Sequence, residues 1–220
     1  IPLRLVGSEM CIRDRTSGYL YPGATYPYGM VQFTPSYFSK RSGFVINQLS
    51  GGGCEHMGNF PTFPVKGKLK MSPDNILNYR INVSEEKGHA GYYEAMVQED
   101  IKAKLTVTER TGMASYEYPA DQQYGTVIIG GGISATPIDQ AAIVITAPNK
   151  CEGYAEGGNF CGLRTPYKVY FVAEFDTDAL ESGTWKRNEL KPNTTFAEGE
   201  YSGVYFTFDV NKKKNIQYKI

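Results

Sequence analysis

The chain has 220 residues with 23 Lys and Arg against 23 Asp and Glu, a formal charge of +0. That balance excludes the strong field that draws a protein onto nucleic acid or an anionic membrane. No apolar run approaches the ~20 residues that a membrane-spanning helix needs, so no membrane span is expected.

The first segment, Ile1–Arg15 (IPLRLVGSEMCIRDR), keeps neither strand nor helix period and has no signal-peptide apolar region. It reads as translated sequencing-adapter read-through or as a disordered tail, and the fold is expected over Thr16–Ile220. Past Thr16 the pattern is period two, in a chain rich in Tyr, Phe, Gly and Pro. Ile101–Thr108 alternates apolar and polar residues, Glu109–Gly112 supplies a turn, and Met113–Tyr118 answers it. This predicts a hairpin with one buried face. Gly125–Gly130, Gln140–Thr146, Tyr167–Phe175 and Val204–Asp209 are predicted strands, separated by turns at Gly130–Gly132, Pro148–Asn149, Gly157–Gly158 and Glu198–Gly199. Within them Thr126–Ile129 and Ala141–Ile145 are continuous apolar runs, expected in the middle of a core. Ile216–Ile220 opens a last alternating strand in which the sequence stops, as in a truncated chain or a genuine edge strand. No segment keeps helical spacing for three turns, and many short strands at even spacing predict an all-β antiparallel sandwich.

One loop concentrates chemistry. Gly51, Gly52 and Gly53 run into Cys54, Glu55 and His56, then Gly58, Asn59 and an aromatic–proline alternation from Phe60 to Pro64. Glycine gathers where a backbone bends sharply or approaches another group closely. His56 has no second His or Asp cluster near it in sequence, which speaks against a metal site, and Glu55–His56 has no partner nucleophile. A hydrogen-bonding role and a purely structural one both stand for His56. His89 reads as a surface or turn residue. The rings of Tyr19–Phe33 and Phe60–Pro64 either stack on sugars or fill the core, and core packing is the favoured reading.

The cysteines beyond Cys11 form no CxxC pair, so no structural zinc site is expected. Cys151 and Cys161 flank GYAEGGNF, which reads as a hairpin that would set them opposite each other, as a disulfide or as two buried thiols. Glycoside hydrolysis needs two carboxyl groups. Among Glu55, Glu94, Glu99, Asp100, Glu109 and Glu174 nothing in the sequence singles out a pair, so no catalytic residue and no metal ligand is assigned.

Four segments in this order carry a resemblance: YPGATYPYGMVQFTPS, LSGGGCEHMGNFPTFPVKG, GHAGYYEAMVQEDIKAKLTVTERTGMASYEYP and GGNFCGLRTPYKVYFVAEFD. Together they resemble the N-terminal domain of glycoside hydrolase family 92, the calcium-dependent exo-α-mannosidases, from about Thr16 to the end of the chain. The resemblance implies a β-sandwich of the galactose mutarotase-like (supersandwich) type. It also implies a following (α/α)₆ helical domain in cis that supplies the general acid, the general base and most Ca²⁺ ligands of an inverting mechanism. The metal would hold the mannose O2 and O3.

The parent would be a secreted or periplasmic bacterial enzyme removing mannose from N-glycans, and this part of it would be inert alone. The sandwich would form one wall of the sugar pocket, which points to Gly53, Cys54, His56, Asn59 and Phe60, with Tyr28 nearby. Many family members read like GFSHTHLSGTGC where this chain has VINQLSGGGC, so Asn47 and Gln48 stand where a histidine would fall, and Asn59 stands where Asp is common. Amides there change the donors and acceptors and remove a titratable group. Two other functions compete: a free-standing carbohydrate-binding sandwich, and a mutarotase-like activity, which would need His and Glu converging on one concave face.

Overall fold

A computed structural model describes residues 23–27, 29–36, 43–48, 56–74 and 82–220. Every regular element among them is a strand. The chain first lays down β1 (Ala24–Thr25), β2 (Gln32–Pro35), β3 (Phe44–Val45) and β4 (Thr62–Lys66). A meander follows: β5 (Val83–His89), β6 (Tyr92–Val97), β7 (Ile101–Val107) and β8 (Gly112–Glu117). Next come β9 (Tyr124–Gly130), β10 (Ile138–Ala147), β11 (Lys150–Phe160) and β12 (Leu163–Phe175). The chain closes with β13 (Glu181–Lys186), β14 (Glu189–Pro192), β15 (Phe196–Glu198), β16 (Ser202–Asp209) and β17 (Asn215–Lys219).

These strands form two antiparallel sheets. The eight-stranded sheet has the order β1-β2-β3-β4-β9-β16-β13-β14, and the nine-stranded sheet has the order β15-β10-β11-β12-β17-β8-β7-β6-β5. The predicted hairpin is there: β7 pairs β8 from Lys102–Glu117 to Val107–Gly112, with alternate residues of both strands buried. Period-two patterning produces this because one face of the nine-stranded sheet meets the core and the other meets water.

The two apolar runs end in different places. β9 lies between β4 and β16 and is buried on both faces, so its continuous run is explained. Its Val127 and Ile129 face the main core, while Ile128 joins Phe63, Val65, Trp185 and Tyr205 in a second cluster on the other face of the same sheet. β10, by contrast, is second from a sheet edge, and only Ala141, Ile143 and Ile145 of its run are buried. The middle-of-core expectation for Ala141–Ile145 is corrected to a half-buried strand.

The turn expected at Gly157–Gly158 is also corrected. Lys150–Phe160 is one strand, bent by a bulge between Gly157 and Asn159, and the hairpin turn comes later, at Cys161 (φ 51°) and Gly162 (φ 83°). Two consecutive left-handed residues are what a two-residue hairpin loop with the right-handed strand twist requires. Cys151 and Cys161 therefore sit at opposite ends of β11, roughly 30 Å apart at 3.3 Å per residue, and cannot be bonded to each other. Cys151 is a buried free thiol, pushed upward in pKa mainly by that burial. Cys161 is disulfide-bonded to another residue.

Candidate functional site

The chain from Met57 to Phe60 is a tight left-handed bend, with φ of 60° at Met57, 75° at Gly58 and 53° at Phe60. Gly58 is suited to it, because a Cβ at that position would come within 3.3 Å of the Ala135 side chain. The bend is held from three directions. Gly58 N–H donates to the Asn47 carbonyl at 2.6 Å, Ala135 N–H donates to the Met57 carbonyl at 2.8 Å, and the Ser134 hydroxyl donates to that same carbonyl at 2.9 Å. Phe60, 1% exposed, anchors the end of the bend in the core against Phe171, with ring centroids 4.2 Å apart.

Two amides close a ring across the bend. Asn47 Nδ2 donates to Asn59 Oδ1 at 3.1 Å, and Asn59 N–H donates to Asn47 Oδ1 at 2.8 Å. Asn59 is fully buried, yet its Nδ2 has no partner. Neither Oε1 nor Nε2 of buried Gln48, which bridges to Met57, has one either. Thr136 Oγ1, one residue from Ala135, is likewise unpartnered. A buried polar group without a partner costs about 1–3 kcal/mol, so natural chains rarely gather several at one bend without something to bond them. The unspent donors and acceptor of Gln48 and Asn59 are suited to an uncharged, hydroxyl-bearing ligand.

His56 stands at the entrance to the bend and leans on the end of the β11–β12 hairpin. Its ring lies 5.4 Å from that of Phe160 and 5.5 Å, edge-on, from that of Tyr167, and its Nδ1 is 3.4 Å from the Asn159 carbonyl oxygen. The Tyr167 hydroxyl continues the chain of contacts to Ser134 Oγ at 3.3 Å, and so back to Met57. A groove of 470 Å³ opens beside this corner, with Asn47 and Phe60 in its wall.

Of the residues picked out by sequence, His56, Asn59 and Phe60 share this bend, with Asn47 and Gln48 packed against it. Tyr28, Gly53 and Cys54, like Glu55, lie outside the described residues. Sequence reasoning missed Ser134, Thr136, Asn159, Phe160 and Tyr167. They reach the bend from ~75 to ~110 residues away through sheet pairing, and the only local hint was the triple glycine at Gly130–Gly132.

Four of the other candidate carboxylates are paired with cations, and one of them, Glu174, lines the same groove. Glu94 contacts Lys87 and Lys102 and accepts a hydrogen bond from Tyr92, while Asp100 pairs with Lys66, Glu109 with Arg110 and Glu174 with Lys219. The Tyr92 bond chiefly lowers the Glu94 carboxyl below its ordinary value. Among the described residues no three His, Cys, Asp or Glu side chains are gathered as a metal would need.

Comparison with known proteins places this geometry. The sequence model of the glycosyl hydrolase family 92 N-terminal domain matches residues 5–220. A curated relative from Arthroderma benhamiae, described as an uncharacterized secreted glycosidase, is 30% identical over 131 residues, which is 50% of this chain and 17% of that protein. The family GH92 α-mannosidase of Bacteroides thetaiotaomicron, solved in complex with mannoimidazole, superposes with a TM-score of 0.78 at 22% identity, over 92% of this chain and 30% of that one. The family GH92 inverting mannosidase of the same organism gives 0.74 at 22%, over 92% and 28%. At such identities the likeness carries the fold, a two-sheet β-sandwich, and the chain spans under a third of these relatives' lengths.

Proposed function

Starting from the fact that the chain belongs to the glycosyl hydrolase family 92 N-terminal domain family, we propose that it is the leading β-sandwich of a secreted, inverting exo-α-mannosidase. Its substrates are mannose-containing glycans. Its part in the reaction is to build one wall of the sugar pocket with the Asn47–Gln48–Asn59 corner and with His56. The observation that carries this reading is the cluster of unpartnered amide atoms on Gln48 and Asn59 at a rigid bend. Sugar hydroxyls both donate and accept, so they match the donor left on Asn59 and the donor and acceptor left on Gln48.

Inversion needs an acid and a base about 6.5–9.5 Å apart with water between them. Among the described carboxylates of this chain Asp100, Glu109 and Glu174 are ion-paired and no such pair is marked out, and both groups are assigned to a helical domain beyond it. Calcium belongs to the same reading as a group held by that domain, where it would coordinate mannose hydroxyls. This chain's own residues bind and orient the sugar by hydrogen bonds and keep water from that side of the pocket.

The test is kinetic. In the full parent enzyme Asn59→Ala is expected to lower kcat/KM on an α-mannoside by about 10-fold, the value of one hydrogen bond to a neutral group. Unchanged kinetics in a variant of unchanged Tm would return the bend to a purely structural role. A fragment of Thr16–Ile220 that keeps the strand signal of the parent is expected to show no turnover with Ca²⁺ present, and measurable mannosidase activity there would defeat the proposal.

A further inference from the structure

β12 has 13 residues, yet on the side away from β11 it pairs over only two of them, Glu174 with Lys219 and Phe175 with Tyr218 on β17. No described strand covers that edge from Leu163 to Ala173. The alternation of the ladder tells which backbone groups are left over. Asp176 N–H donates to the Gln217 carbonyl at 2.9 Å on the β17 side, whereas Phe175 N–H donates to the Asn149 carbonyl at 2.8 Å on the β11 side. These directions alternate along an antiparallel strand. Val172, Tyr170 and Lys168 therefore turn N–H and C=O toward the open edge. Pro166, two residues further on, has no N–H to extend the ladder.

A long open edge flanked by exposed apolar side chains pairs with any strand it meets. Here Tyr170 is 71% and Val172 47% exposed, and Met30 across from them is 72% exposed. Between the two banks lies the 470 Å³ groove already met at the candidate site, with Ile220 in its wall together with Asn47 and Phe60. We infer that this edge takes one extended strand from the parent polypeptide itself, the stretch following Ile220, as a continuation of β17. The inference rests on the reading that the chain is the leading part of a longer protein, and the solved relatives, of which it covers 30% or less, have the length to supply the strand.

The register then fixes the arrangement. With Phe175 opposite Tyr218 and Glu174 opposite Lys219, Ala173 falls opposite Ile220. The first, second and third residues after Ile220 fall opposite Val172, Phe171 and Tyr170. Ile220 and Phe171 are buried, at 8% and 6% exposure, so the second residue faces the core and is apolar, while the first and third join the outer face. Five residues, about 17 Å of strand, reach Lys168, where the prolyl edge ends the pairing. The chain that follows is then released beside the Asn47–Asn59 corner. The strand both closes an aggregation-prone edge and sets the next domain over the site.

The experiment is residue-resolved hydrogen exchange on the full parent enzyme. The amides of Val172, Tyr170 and Lys168 are expected to exchange at least about 100-fold more slowly than exposed amides. That protection should be independent of protein concentration and of added manno-oligosaccharide. Tyr170→Pro, which removes an edge-facing donor together with the ring that packs on Tyr154 and Lys168, should lift protection at Val172 and Lys168 while Phe171 and Val169 stay protected by β11. Free exchange at the three amides overturns the inference. So does protection that appears only at high concentration, which would mean a second copy, or only with sugar, which would mean a glycan. Turnover measured on the same sample separates the two proposals: activity with a free edge rejects the strand alone, and a protected edge without mannosidase activity rejects the enzymatic reading alone.

Discussion

Thr62 links the two sheets through hydroxyl groups. The Tyr218 hydroxyl donates to Thr62 Oγ1 at 2.6 Å, Tyr116 lies 3.0 Å from both, and Thr62 donates in turn to the Phe44 carbonyl at 3.2 Å. Thr62 is on β4 of one sheet, and Tyr116 and Tyr218 are on β8 and β17 of the other, all essentially without exposure. A polar triangle in an apolar core is tolerable only when every member is satisfied, and this one is. Thr62→Val keeps the shape but removes the shared oxygen, and a loss of about 1–2 kcal/mol in chemical denaturation is expected. The candidate site differs at this same scale. Asn59 and Gln48 are also buried but keep unpartnered atoms.

At the scale of elements, the long β11–β12 hairpin does most to position the site. It carries Phe171 under Phe60 and presents Asn159, Phe160 and Tyr167 to His56. Phe171→Ala should cost about 3–5 kcal/mol of stability, in the range for deleting a buried ring. Because it also removes the floor beneath the bend, it should weaken mannoside binding as well as lower Tm. A loss of stability with unchanged KM would show that the bend holds without its floor. This hairpin was partly legible in sequence. Tyr167–Phe175 read as a strand from its alternation, but Gly157–Gly158 looked like the turn. In fact the pair makes a bulge, and Gly158 has φ of 139° because Thr165 C=O lies where a Cβ would stand. Glycines serve bulges and turns alike, and sequence alone does not say which.

At the scale of the whole molecule, the core encloses three tyrosines whose phenols are held protonated beyond their ordinary range. Tyr116, Tyr118 and Tyr218 are completely enclosed, and burial raises each phenol above its ordinary 10.0. The hydrogen bonds that Tyr116 shares with Thr62 and Tyr218 oppose that rise without cancelling it. In the unfolded chain these phenols lose protons near pH 10, whereas in the native protein they keep them, so stability falls with pH once the unfolded state binds fewer protons. Their contribution is complete below pH 10 and is lost as pH rises toward the higher folded values. A Tm that is flat through neutral pH and falls steeply above about pH 10, with a further step of phenolate absorbance on unfolding beyond that of exposed tyrosines such as Tyr170, is the expected outcome. Titration of every tyrosine in the folded protein, with no further phenolate released on unfolding, would contradict it.

The division between chain and fold runs through these same residues. Period-two patterning by itself determined the β7–β8 hairpin and β12, because alternation is a local record of which side chains meet a core, while runs of Val, Ile, Tyr and Phe marked β9 and β16. The ordered motifs determined the family, and the glycine-rich approach to His56 and Asn59 located the bend, since backbone geometry that needs glycine leaves its mark in composition. Tertiary structure alone decided that β10 is half exposed and that Cys151 is free while Cys161 is bonded. It alone decided that Asn47 and Asn59 bond through their amides, and that among the described strands only β17 pairs β12 on the side away from β11, over two residues. Each depends on which strand lies next to which, and that choice is made by pairing between segments many tens of residues apart, where no local pattern records the partner.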